Sequence, residues 1–209
     1  MTLAELLSDV AAGKAPEADG TVTIVPQPSP RDMGVIAFTG HSVVFADLDH
    51  GWLRDRLPVG DLSAPLNPPF LRALELETGR TVDNIDVLVL ARPLAGPRPS
   101  WLAEITGGDH PRVARAMSHR DAVQVWACEE GVLTIGRGVA GRWEVSVEVG
   151  PEHRGRGVGR RLASAARGLC DEPLWAQIAP GNAASLRAFL AAGFAPVGAE
   201  ALLVADETR

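Results

Sequence analysis

Residues 142–170 constrain this chain more than any other stretch. Arg142, Glu144, Ser146 and Glu148 alternate with Trp143, Val145, Val147 and Val149, a period of two that predicts a strand with one polar and one apolar face. The strand runs through Gly150-Pro151-Glu152-His153 into Arg154-Gly155-Arg156-Gly157-Val158-Gly159, where the glycines allow positive φ and close backbone approach. Val158, Leu162, Ala165, Ala166 and Leu169 then recur at helical spacing, with Arg160, Arg161 and Arg167 off that stripe. A strand, a glycine turn and a helix in this order present unpaired N–H groups and the positive end of a helix dipole, which suits a phosphate or pyrophosphate. Arg154, Arg156, Arg160 and Arg161 concentrate positive charge in a chain of formal net charge −6. A bound polyanion accounts for that placement better than solubility does.

Two common phosphate motifs do not fit. A P-loop needs a lysine after its last glycine, and the turn has none. A Rossmann fingerprint needs Gly-x-Gly-x-x-Gly and an acid at the end of the next strand; the spacing here is Gly-x-Gly-x-Gly, and Leu174 to Pro180 holds no Asp or Glu. The five histidines show no metal-ligand spacing, so no metal is expected. Two cysteines, Cys128 and Cys170, form no disulfide framework and read as packed thiols of a reducing compartment. The acidic balance disfavours a nucleic-acid binder. The sequence offers neither an apolar run of about 18–20 residues nor a signal-peptide pattern at its start, so a cytoplasmic protein without a membrane partner is expected.

The proline-rich seam at 91–100 predicts a domain boundary, giving a smaller α/β region over 1–97 and a second domain over 98–209. In the first, Thr2 and Glu5 predict a capping box. Val35–Phe38 and Val43–Phe45 predict a hairpin around Gly40. Helices are expected from Asp49 to Leu57 and from an Asn67-Pro68 start to Gly79, and a buried strand over Asp86–Leu90. In the second, a helix is expected over His110–Met117 and strands over Val123–Cys128, Val132–Gly136 and Arg142–Val149. After the turn and its helix come a strand over Pro173–Ile178, a helix capped by Asn182, bearing Leu186, Phe189 and Leu190 and ended by Gly193, and one or two closing strands over Phe194–Val204. The fold class is α/β.

The run from Val147 to Gly159 resembles the cofactor motif of the GNAT superfamily of N-acetyltransferases, Gln/Arg-x-x-Gly-x-Gly/Ala between the fourth strand and third helix. Asn182-Ala183-Ala184-Ser185 through Gly193-Phe194 resembles the family's Asn-x-x-Ser/Ala…Gly-Phe segment. The resemblance covers roughly 98–209. It implies a mixed, splayed sheet with helices on both faces and acetyl-CoA as acyl donor, entering where the strands 142–149 and 174–179 part. By position it implies that the main chain of Val147 and Val149 meets the pantetheine arm. N–H groups of Gly155, Arg156, Gly157, Val158, Gly159 and Arg160, beside Arg154, would hold the pyrophosphate, and Asn182 and Ser185 would contact the cofactor.

The chain also departs from the family's pattern. Phe189 stands where many members carry a tyrosine acid, Gln177 where some carry a glutamate base, and Trp143 where histone-type members carry a glutamate. Glu144 and Glu148 are the replacement base candidates, against the alternative that they face water or pair with arginines. Two functions stay open: an N-acetyltransferase acting on a primary amine of a small molecule or peptide, or a non-catalytic acetyl-CoA-binding module. The region 1–97 reads as a degenerate second copy of the fold, a substrate-side cap or a dimerisation element, so a homodimer is left open.

Overall fold

The computed structural model describes residues 1–105 and 111–205. His110, the expected start of a helix, lies outside the described residues, as do residues 206–209 at the end of the expected second domain. The chain forms two compact units, Met1–Leu88 with the chain from Val197 on, and Val89–Pro196. Compactness thus parts the chain at other points than the proline seam. Both units are α/β with mixed sheets, the expected fold class.

The first unit opens with α1 (Leu3–Ala11). The Glu5 N–H donates to Thr2 Oγ1 at 3.2 Å and the Thr2 N–H to Glu5 Oε2 at 2.7 Å, the reciprocal capping box. There follow β1 (Val22–Val25), β2 (Gly34–Phe38), β3 (His41–Phe45), α2 (His50–Arg54), α3 (Pro68–Thr78) and β4 (Arg80–Ala91); β10 (Ala195–Ala205) returns after the second unit. The strand order is β1-β3-β2-β10-β4, with β1 parallel to β3 and β2 antiparallel to both β3 and β10. The expected hairpin is β2–β3, turning at Gly40. Helix α2 is shorter than expected: beyond Arg54 the chain tightens into Arg56 N–H→Leu53 O and Leu57 N–H→Arg54 O bonds before Pro58 stops it. Helix α3 starts at Pro68 and ends at Gly79 as expected, although Asn67 makes no side-chain cap bond. The strand expected at 86–90 is the end of the longer β4, where Leu88 and Val89 are buried; its first half mixes exposed polar residues with the half-buried Val82 and Ile85. A single strand, β10, closes the chain. Its Gly198 has no room for a Cβ, which would collide with the carbonyl oxygen of Ala37.

The second unit contains β5 (Ala103–Ile105), α4 (Pro111–His119), β6 (Asp121–Cys128), β7 (Gly131–Arg137), β8 (Trp143–Val149), α5 (Val158–Ala166), β9 (Leu174–Ile178) and α6 (Ala183–Ala191). The order is β9-β8-β7-β6-β5, antiparallel from β5 to β8 and parallel between β8 and β9. The whole expected stripe of α5, from Val158 to Leu169, is buried. Helix α6 is capped by Asn182, whose Oδ1 accepts the Ser185 N–H at 3.0 Å, and Gly193 follows at φ +86°. Phe189 is buried edge-on against Phe194, ring centroids 4.9 Å apart, whereas Leu190 is exposed. The polar face of β8 is not a solvent face: Arg142 and Glu144 are both buried, because each is the other's counter-charge.

Candidate functional site

The site begins where β8 and β9 part. Their register pairs are Trp143↔Leu174 and Glu144↔Trp175, while β8 continues to Val149 and β9 to Ile178. On its other side β8 stays paired with β7 as far as Val149↔Gly131. The Gly150 N–H donates to Glu130 O at 3.0 Å, so Gly150 and Glu130 form a hydrogen-bonded pair of the antiparallel ladder. Such pairs alternate. Glu148 and Ser146 therefore bond to β7, and the N–H and C=O groups of Val147 and Val149 point to the side that β9 has left. In keeping with this, the Val149 carbonyl accepts a side-chain bond, from Arg154 Nε at 3.3 Å.

Beyond β8 the chain turns through Gly155 at φ +74° and Gly157 at φ +80°. Nothing lies within 4 Å of where a Cβ would stand at either glycine, so the turn presents bare main chain to open space. Gly157 is the N-cap residue of α5 and offers no side-chain cap, leaving the first-turn N–H groups for a ligand. At Gly159 a Cβ would stand 3.4 Å from Ala188 Cβ, an ordinary contact that shows α6 packed beside the first turn of α5.

These elements border a cavity of about 730 Å³. Val147, Val149, Arg154, Gly155, Gly157, Val158, Gly159, Arg160, Asn182 and Ser185 all line it, as does Glu148. Arg156 and Glu144 do not. The cavity also takes in Phe189, at the position where many members of the resembled family carry a tyrosine, and His153 and Arg187, which sequence reasoning did not place at the ligand. Arg187 was legible in principle, since Asn182 and Ser185 precede it on one short helix. His153 was not, because its position depends on how the turn bends. Arg161 is withdrawn from the turn: it is ion-paired with Glu130 and stacks over Trp101, 4.4 Å from the ring centroid.

Glu144 sits below the splay in a buried polar cluster. Its Oε1 accepts from Arg142 Nε at 2.9 Å, from the Val139 N–H at 3.2 Å and from Gln177 Nε2 at 3.2 Å; its Oε2 accepts from Arg120 Nε at 3.0 Å. Arg120 also donates to Ser146 Oγ at 2.8 Å. Burial pushes the Glu144 carboxyl up, but the charges and hydrogen bonds of Arg142 and Arg120 outweigh it and hold the pKa below the ordinary value. Burial pushes the Cys170 thiol up, away from reactivity. Among the described residues no group of three or more His, Cys, Asp or Glu side chains could hold a metal ion, and no helix is long and apolar enough to cross a membrane.

Residues 109–194 match the model of the acetyltransferase (GNAT) family. This stretch is similar to the acetyltransferases of that family. The match spans β8, the glycine turn, α5 and α6, the elements that border the cavity, together with β9. No curated protein matches the sequence. Among solved structures the chain is similar to a GCN5-related N-acetyltransferase from Kribbella flavida, at 16% identity and TM-score 0.40, covering 66% of this chain and 64% of that one. It is also similar to an acetyltransferase of the GNAT family from Novosphingobium aromaticivorans, at 22% identity and TM-score 0.42, covering 63% and 69%. A tandem GNAT protein from the clavulanic acid biosynthesis pathway aligns at 14% identity and TM-score 0.35, covering 66% and 59%.

Proposed function

We propose that the GNAT-like domain binds acetyl-CoA in the cavity beside β8 and transfers its acetyl group to a primary amine of a small molecule or peptide, directly and in a ternary complex. The observation that carries this reading is the coincidence of two features in one cavity: strand main chain freed by the splay, and a glycine turn opening onto a helix N-terminus. When bound, acetyl-CoA supplies an acyl group activated as a thioester. The open faces of Gly155 and Gly157, the first-turn amides of α5 and the guanidinium groups of Arg154 and Arg160 fit its diphosphate. The N–H and C=O groups of Val147 and the N–H of Val149 on the side β9 has left fit an amide-bearing arm and supply fixed donors for developing oxyanion charge. Asn182 spends its carbonyl oxygen on the helix cap, so its NH₂ is what it can offer the cavity.

An ammonium acceptor must lose a proton before it can act as a nucleophile. Glu144 is ill suited to take it, since its oxygens are committed to two arginines and its pKa is held low. Glu148 lines the cavity and is the general-base candidate we retain. The test is thiol release from acetyl-CoA across a panel of amines and peptides, with Glu148→Gln alongside. Turnover that falls by about 10²-fold or more in the variant, with a flattened pH profile, supports the role.

One observation favours a second reading, a non-catalytic acetyl-CoA-binding module. Phe189 fills the position of a proton donor with a ring packed against Phe194, and Gln177 is tied to Glu144. Coenzyme A binding with no thiol release across the panel would establish that reading instead.

A further inference from the structure

Among the described residues three arginines line the cavity, and they come from different elements. Arg154 precedes the glycine turn, Arg160 stands in the first turn of α5, and Arg187 stands in α6. A diphosphate diester carries two negative charges. The turn amides, the α5 dipole, Arg154 and Arg160 already answer both. Arg187 is a further cation. It is exposed, and it makes no hydrogen bond or ion pair with a described residue. Its neighbour Ala188 packs beside Gly159: a Cβ at Gly159 would stand in ordinary contact with Ala188 Cβ, at 3.4 Å. Helix α6 therefore rides on the first turn of α5 and carries Arg187 to the rim of the anion site.

A guanidinium fork at a cavity rim suits a phosphate monoester, which carries about −1.5 to −2 charge at neutral pH and offers three acceptor oxygens. Coenzyme A has one such group, on the ribose of its adenosine. We propose that Arg187 recognises this ribose phosphate and makes the site selective for coenzyme A over dephospho-coenzyme A. The inference rests on the acetyl-CoA reading of the cavity.

The test is isothermal titration of the full chain with coenzyme A and with dephospho-coenzyme A, for the wild type, Arg187→Gln and Arg187→Lys. The wild type should prefer coenzyme A by about tenfold, the scale of one charge-assisted contact near solvent. The preference should fall to about twofold or less in Arg187→Gln, be partly kept in Arg187→Lys, and shrink as salt is raised. A preference unchanged in Arg187→Gln overturns the proposal. So does equal weakening for both ligands, which would assign Arg187 to the diphosphate. A wild type that binds neither ligand removes the reading of the cavity, and this inference with it.

Discussion

Replacing Gly157 by alanine and, separately, by glutamate divides the backbone's contribution at the turn from the ligand's. Gly157 holds φ +80° and ψ 2° at the N-cap of α5, and open space surrounds its missing Cβ. Either side chain fits sterically, so the cost of both is conformational, about 1–2 kcal/mol for an L-residue in the left-handed region. For a chain of this length that lowers Tm by about 2–8 °C, and both variants should show the same drop. They differ in charge. A carboxylate about 4–5 Å from a phosphate charge, at an effective dielectric near 20, costs about 3–4 kcal/mol. Salt and the open mouth of the cavity screen part of this, leaving a loss of affinity on the order of 10²-fold. Titration calorimetry with coenzyme A should place Gly157→Ala within about tenfold of wild type and Gly157→Glu far weaker. Equal affinities for the two variants would refute the placement of the diphosphate at this turn, whatever their shared loss of stability.

Glu144→Ala should cost about 3–5 kcal/mol in chemical denaturation, because it leaves Arg142 and Arg120 buried without their shared carboxylate; a loss below about 1 kcal/mol would contradict that. The folded pKa of Glu144 is depressed, so its contribution is present above the ordinary carboxylate range and is lost as pH falls through the lower folded value. That pH dependence should be missing in Glu144→Gln. Asp19 is held at about 2, below 3.8, chiefly by its side-chain bond with His41 and then by the Thr21 N–H and hydroxyl. Its titration, followed by carboxyl NMR, should move back towards 3.8 in His41→Ala; an unmoved titration would show that the 2.9 Å contact does not hold in solution. Asn182→Ala removes the cap bond to the Ser185 N–H and should cost about 1 kcal/mol of stability, with Asn182→Asp recovering most of it.

Where a local pattern and its tertiary environment agree, the sequence could be read. The α5 stripe, the Thr2–Glu5 box, the Gly40 hairpin and the Asn182–Gly193 bounds of α6 all rest on contacts within a few residues. The glycine turn before α5 was legible locally as well, while the ligand role of its residues came from the family resemblance. For Glu144 the sequence left open a base, a water-facing residue or a partner of arginines; the choice falls to the last only when Arg120, 24 residues before Glu144, enters the same cluster. The first half of β4 carries no strand signal of its own. Nor does the sequence of β10 say that it pairs with β2, more than 150 residues earlier in numbering (Ala199↔Ala37). These are long-range pairings, which composition and period do not encode.

Glu144 then takes a different part from the one its sequence position suggests. β8 and β9 pair at Trp143↔Leu174 and Glu144↔Trp175, and Gln177 of β9 donates to the Glu144 carboxylate from just beyond those pairs. The same carboxylate draws in Arg142 at the foot of β8 and Arg120 after α4, while Arg120 also holds Ser146, the residue before the strand main chain is freed. One buried anion thus fastens the two strands below the point where they separate. Above it Val147 and Val149 keep main-chain groups that no strand satisfies. Unpaired strand groups are costly unless water or a ligand meets them, and here they border the cavity. The Glu144 carboxylate thus ties β9 to β8 at their register pairs, just below the strand edge that borders the cavity.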